Sequence, residues 1–178
     1  MNRILIALDS FKGSIDSFAA GEALADGLRS AGVRRDIKIL PVADGGEGLV
    51  NGLRAAIGGQ LIPVQCSDPL GRPVSAEYLL LPSRSPRAAV IEMAAASGLP
   101  LLKPAERNPM LASSYGTGEL IRDALMSGAE DIIVGIGGSA TVDGGMGMAS
   151  ALGVRFFDVS GQRLNRSEEH TSELQSRI

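Results

Sequence analysis

Tryptophan is absent from this 178-residue chain, and aromatic residues together make up only 3% of it. Its core must therefore be built from Leu, Ile, Val, Ala and Met, and a hydrophobic content of 44% is enough to build one. Cysteine is nearly absent too. A single residue, Cys66, excludes an intramolecular disulfide and a four-cysteine zinc site. Long apolar runs are missing, so no stretch reaches membrane-spanning length. The opening MNRILIALDS has too short an apolar run for a signal peptide and continues into a strand pattern. A surplus of positive charge is missing as well: the formal net charge is −3, with none of the basic striping that a nucleic-acid partner requires. The expected setting is the cytoplasm, with neither membrane nor nucleic acid as partner. The oligomeric state is left open.

Histidine occurs once, as His170 in NRSEEHTSELQSRI. This segment is polar and has no periodic apolar face, and RSEEHTSELQS resembles translated sequencing-adapter read-through. Residues 166–178 are therefore expected to be a non-native tail and are set aside from fold reasoning. Without them the chain has no histidine, which excludes a Ser-His-Asp triad. Catalysis would have to use carboxylates, lysine, hydroxyls, backbone amides or a bound metal.

Glycine, by contrast, is plentiful at 23 residues, and it clusters between the regular elements. RILIAL (3–8) reads as a buried strand. The stretch 16–32 reads as a helix capped by Asp16 or Ser17, with Phe18, Leu24, Ala25 and Leu28 on one face and Gly32 closing it. IKILPV (37–42) is a second strand, and 47–59 a second helix with Leu49, Val50, Leu53 and Ile57 inward. QLIPVQCS (60–67) is a third strand. This β-α-β-α-β order predicts an α/β fold with a parallel or mostly parallel sheet and covering helices. SDPLGRP and LPSRSPR bracket a strand, VSAEYLLL, and mark a change of layer or a domain boundary. The strand AAVIEM, a helix over 117–129 (Leu120, Ile121, Ala124 and Leu125 inward), the strand DIIVGIG, the short helix MGMASALG and the strand VRFFD complete the pattern.

The chemically suggestive stretches follow strands, at the sheet edge where open α/β sheets bind ligands. DSFKGS (9–14) sets Lys12 beside a helix N-terminus that would favour an anion, although a solvated lysine in a turn explains it equally simply. ADGGEG (43–48) offers Asp44 and Glu47, a pair suited to Mg²⁺ or to an ordinary glycine turn. Glu92 ends a strand ahead of small residues and needs either a cation or a structural partner. SSYGTGEL (113–120) reads as helix capping or as an anion site using Ser114 and Thr117. GIGGSATVDGG (135–145) fits a G-x-G-x-x-A dinucleotide fingerprint over Gly135–Ala140, with Asp158 near the place of a ribose-binding acid. Against that, TVDGG separates the loop from its helix. Asp143 with Ser139 and Thr141 suits a metal–phosphate cradle better.

Taken in order across residues 1 to about 160, the stretches DSFKGS, ADGGEG, DPLG, IEMAAASGL, RNP, SSYGTGEL and GIGGSATVDGG resemble the glycerate kinases, which phosphorylate glycerate with ATP. One departure is Val142, where the family pattern has Asn. The resemblance implies a longer protein of two α/β domains, the second inserted into the first. Residues 1–70 would be the N-terminal part of the first domain and 71–165 part of the second, with the chain stopping inside it. It also implies transfer of the ATP γ-phosphoryl group, with Mg²⁺, to a hydroxyl of glycerate (the 2-hydroxyl in preference) in organic acid metabolism.

The implied roles follow motif by motif. Lys12 would neutralise a phosphate or the glycerate carboxylate, with Asp9 and Ser10 beside it in the substrate or phosphate site. Asp44 and Glu47 would hold Mg²⁺ or orient substrate. The N–H groups of Gly137 and Gly138, with Ser139 and Thr141, would cradle phosphate. Ser114 and Thr117 would bind substrate at their helix N-terminus, and Asp143 would accept the hydroxyl proton or bind the metal. Two competing readings are an NAD(P)-dependent oxidoreductase using Gly135–Ala140 and Asp158, and an inactive fragment.

Overall fold

A computed structural model of the chain describes residues 3–11, 13–81 and 85–164. Among the described residues six strands form two sheets. In the smaller, β1 (Arg3–Leu8) pairs in parallel with β2 (Asp36–Pro41), with Ile4 opposite Ile37. Their crossover is α1 (Ser17–Ser30), capped as expected by Asp16, whose Oδ1 accepts from the Ala19 amide at 2.8 Å. The larger sheet runs β3 (Gln60–Ser67), β4 (Pro73–Leu81), β5 (Ala88–Glu92), β6 (Asp131–Gly135). There β3–β4 and β4–β5 are antiparallel and β5–β6 parallel.

The α/β class therefore holds, with mixed rather than mostly parallel strand directions in the larger sheet. The third strand does not join the first two. After α2 (Leu49–Ile57), the positive-φ pair Gly58 and Gly59 turns the chain alongside β4, so β3 enters the larger sheet. SDPLGRP is the tight connection of the β3–β4 hairpin. Buried Asp68 holds it, accepting from the Leu70 and Arg72 amides at 2.8 Å each and from Arg72 Nε at 2.6 Å.

Period-two alternation along β4 divides the core. Tyr78 and Leu80 join Ile91, Leu120 and Ala124 on the face covered by α4 (Tyr115–Met126). Leu79 and Leu81 join Val90 and Val50 on the face covered by α2. Helices thus cover both faces of the larger sheet. Around β1 and β2 several expectations fail. Phe18, Leu24 and Ile57 are exposed, as is Leu125 on α4. α1 instead buries its small residues Ala20, Gly21 and Ala25, and a Cβ on Gly21 would stand about 2.5 Å from Ile39 Cγ2. Close approach of this kind uses small residues and leaves the larger apolar ones outside. VRFFD forms no strand: only Phe157 bridges to Arg163, across a turn. No helix among the described residues is long and apolar enough to cross a membrane.

Candidate functional site

Four of the quoted motifs converge beyond the C-terminal ends of β5 and β6. The loop after β2 meets the loop after β6, where Gly137 N donates to Gly45 O at 3.0 Å. The two backbones lie so close that a Cβ on Gly137 would stand about 2.7 Å from the Gly46 backbone, so glycine is required there. The loop after β5, which includes α3 (Ala94–Ser97), runs beside the same segment: Ala140 N donates to Ser97 O at 2.9 Å and Leu99 N to Gly138 O at 3.0 Å.

Asp143 ties in the fourth motif. It is only 7% exposed. Its Oδ2 accepts from Ser114 N (2.8 Å), Ser114 Oγ (2.9 Å) and Gly147 N (3.1 Å), and its Oδ1 from Gly145 N (3.1 Å). Ser114 Oγ in turn accepts from Met148 N at 2.9 Å, so one carboxylate and one hydroxyl join the start of α4 to the start of α5 (Met146–Ala151). Ser114 occupies the N-cap position of α4 without capping it, because its hydroxyl is spent on Asp143. Thr117 is fully buried, with its hydroxyl 2.8 Å from that of Ser97. The Ser114 and Thr117 hydroxyls, expected to meet substrate, are both turned into the protein.

The remaining candidates lie nearer solvent. Asp9 is exposed and accepts from Ser10 N at 2.6 Å, while Lys12 lies outside the described residues. Asp44 accepts from Gly46 N at 3.1 Å, and Glu47 is exposed at the same turn. Mg²⁺ takes one or two carboxylates and completes its shell with phosphate oxygens and water. This pair fits that demand. Among the described residues no group of three or more His, Cys, Asp or Glu could hold a metal by itself.

The phosphate cradle needs one correction, since the Gly137 N–H is already committed to Gly45. Gly138 is exposed at φ 73°, and Ser139 and Thr141 lie hydroxyl to hydroxyl at 3.0 Å. The dinucleotide reading fails on geometry. Residues 136–145 separate β6 from α5, whereas a dinucleotide loop leads directly into its helix. Asp158 ends no strand. It closes an exposed turn, and the Ser160 hydroxyl, ahead of the Gln162 amide, holds its carboxyl below the usual range.

Other side chains, one anticipated and several not, support the site. Of the two readings of Glu92, the structural partner is present: its Oε1 accepts from Val50 N at 2.7 Å and so ties the start of α2 to the end of β5. Burial pushes this carboxyl above the usual glutamate range, opposed by the Val50 and Gly48 amides. Glu119 accepts from Ser67 N at 2.7 Å, fastening α4 to β3. Arg72 bridges Asp68 and Glu106, the latter at 2.9 Å, beside the RNP stretch. DPLGR carried a turn signal that pointed to Asp68. Nothing local in AAASG marked Ser97 as a partner for Thr117.

The glycerate kinase family matches this sequence over residues 4–177. The chain belongs to the glycerate kinase family. The matched span includes most of the polar tail, which lies outside the described residues. A glycerate kinase from Halalkalibacterium halodurans is 47% identical over 98% of this chain and 45% of its own length. A glycerate 2-kinase from Escherichia coli K12 is 44% identical over 91% of this chain and 42% of its own. Among solved structures, one described as glycerate kinase 2 from Salmonella typhimurium LT2 superposes with a TM-score of 0.76 at 47% identity, covering 93% of this chain and 44% of that one. The chain spans less than half the length of these relatives.

Proposed function

We propose that this chain is the N-terminal part of an ATP-dependent glycerate kinase that transfers the γ-phosphoryl group to a glycerate hydroxyl in organic acid metabolism. Its partners in this reading are small molecules, and its setting is the cytoplasm. The observation that carries the reading is the convergence of the 43–48, 93–99, 113–120 and 135–145 motifs beyond one sheet edge. Such a site suits phosphoryl transfer, which depends on positioning and charge neutralisation rather than on histidine chemistry. We assign the 2-hydroxyl as acceptor, a choice supported by the name of the Escherichia coli relative. The division of residues 1–70 and 71–165 between two domains is part of the same proposal, with β3 hydrogen-bonded into the second sheet.

In this reading Gly138, Ser139 and Thr141 receive phosphate, and Lys12, Asp9 and Ser10 line the anion site from the first loop. Asp44 and Glu47 would hold Mg²⁺, which when bound neutralises the charge on the phosphates. Ser114 and Thr117 fix the start of α4. Asp143 positions Ser114 through Oδ2, leaving Oδ1, which carries one hydrogen bond, to accept the substrate proton or meet the metal. The test is glycerate-dependent ADP formation with Mg·ATP, with the product identified by ³¹P NMR. A 2-phosphoglycerate signal supports the reading. ADP formation that ignores glycerate, or stabilisation by NAD alone, contradicts it.

A further inference from the structure

α2 starts without a cap of its own. A helix start leaves its first amides without partners inside the helix, and Gly48, at the N-cap position with φ 92°, has no side chain to accept from one. Two oxygens do so instead. Leu49 N donates to Gly46 O at 3.2 Å, within the preceding loop. Val50 N donates to Glu92 Oε1 at 2.7 Å, 42 residues away in sequence. Glu92 reaches that amide because it shares a face of β5 with Val90, which packs in the same core as Val50. The side chain at the strand end thus continues an apolar contact with a polar one, placed where the helix dipole favours an acidic group.

That bond fixes more than a helix. The loop 43–48 contains Gly45 and Gly48, both at φ 92°, so its backbone has little conformational preference of its own. Two anchors tie it to the larger sheet. Gly45 O receives Gly137 N at 3.0 Å from the loop after β6, and Val50 N, just past the 43–48 loop, is held by Glu92 at the end of β5. β5 and β6 are adjacent and parallel, with Glu92 opposite Gly135, so both anchors rest on one sheet edge. Glu47 lies between them in sequence. Asp44 directly precedes the first, its Oδ1 accepting from Gly46 N at 3.1 Å. The Gly137 anchor is backbone on both sides, whereas the second depends on the Glu92 side chain.

We propose that Glu92 is a positioning residue: by holding the start of α2 it keeps the 43–48 loop in register with the 135–141 loop, and so sets where Asp44 and Glu47 stand relative to Gly138, Ser139 and Thr141. The tasks of those five residues rest on the kinase reading above; the anchoring rests on the two hydrogen bonds. The test compares the chain with Glu92→Ala and Glu92→Gln by amide exchange followed by NMR, without ligand. Where Glu92→Ala does not fold, Glu92→Asp, which keeps the charge but is one methylene shorter, replaces it. Loss of the anchor is expected to speed exchange at Gly46 and Gly137 about tenfold or more, with the α4 amides unchanged. Gln keeps an acceptor oxygen at the same reach and should restore the original rates. Binding of Mn²⁺ with tripolyphosphate, followed by electron paramagnetic resonance, should weaken in the Ala variant and recover in the Gln variant. Faster exchange at Val50 alone, an equal rise throughout α4, or a Gln variant as impaired as Ala overturns the proposal, the last because it would make Glu92 a direct ligand. If the unsubstituted chain takes up no Mn²⁺ with tripolyphosphate, the metal assignment of the kinase reading fails separately, and the exchange at Gly137 still decides the role of Glu92.

Discussion

The two sheets of this chain use similar apolar strands and bury them to different degrees. In the larger sheet Tyr78, Leu79, Leu80 and Leu81 are all buried, since α4 covers one face and α2 the other. In the smaller sheet Leu5 is 60% exposed, and Ile57, Phe18 and Leu24 stand open nearby. A two-stranded sheet is marginal by itself, and here α1 meets it through small residues. Hydrophobic periodicity thus tells which side chains share a face but not whether anything covers that face.

The contrast can be broken most sharply by truncating one leucine in each half. Leu120→Ala, at a fully buried position against β4 and β5, is expected to cost about 2–5 kcal/mol. Leu5→Ala should cost within about 0.5 kcal/mol, as surface changes do. Urea unfolding measures both, and equal losses would contradict the assignment of the core. Asp143→Asn comes next. It sets an amide N–H₂ against donors at Ser114, Gly145 or Gly147, and a loss of about 1–3 kcal/mol is expected. Where that variant remains folded in an active, longer form, near-normal turnover would exclude Asp143 from proton transfer.

A smaller effect concerns Glu92. Burial raises its folded-state carboxyl above the unfolded value, so the folded chain holds the proton to higher pH. Its contribution is intact below the ordinary glutamate value and is lost as pH rises through the window up to the raised folded value. Glu92→Gln should remove that fall from the urea midpoint plotted against pH, and parallel curves would contradict the stated cause. The smallest expected response is at Cys66. Burial first, with Glu119 and Asp68 adding, pushes its thiol up to about 11. Maleimide labelling at neutral pH should therefore be slow and unchanged by Leu5→Ala. Acceleration by that substitution would mean that the two sheets open as one unit.

Much of this was legible in advance. RILIAL matched β1 residue for residue, although only Ile6 in it is buried rather than the whole run as expected, and Asp16 capped its helix, because apolar runs and caps are local signals. The direction of β3 was not legible from element order, since the tight turn at Asp68 selects an antiparallel hairpin. VRFFD has strand composition, yet its ladder reduces to a single bridge. The motif loops could be read as chemically suggestive, but which polar groups are consumed by folding could not. Gly137, Ser114 and Thr117 spend theirs on partners in other motifs, and those pairings exist only once the sheet edges are assembled.

The central claim is that loops from both sheets form one phosphate-receiving edge. Amide hydrogen exchange of the chain with and without Mg·ATP tests it most directly. Slowed exchange at residues 43–48 and 135–141, with residues 104–111 unchanged, is the predicted result. Unchanged exchange in both of those loops while Mg·ATP protects another region would contradict it.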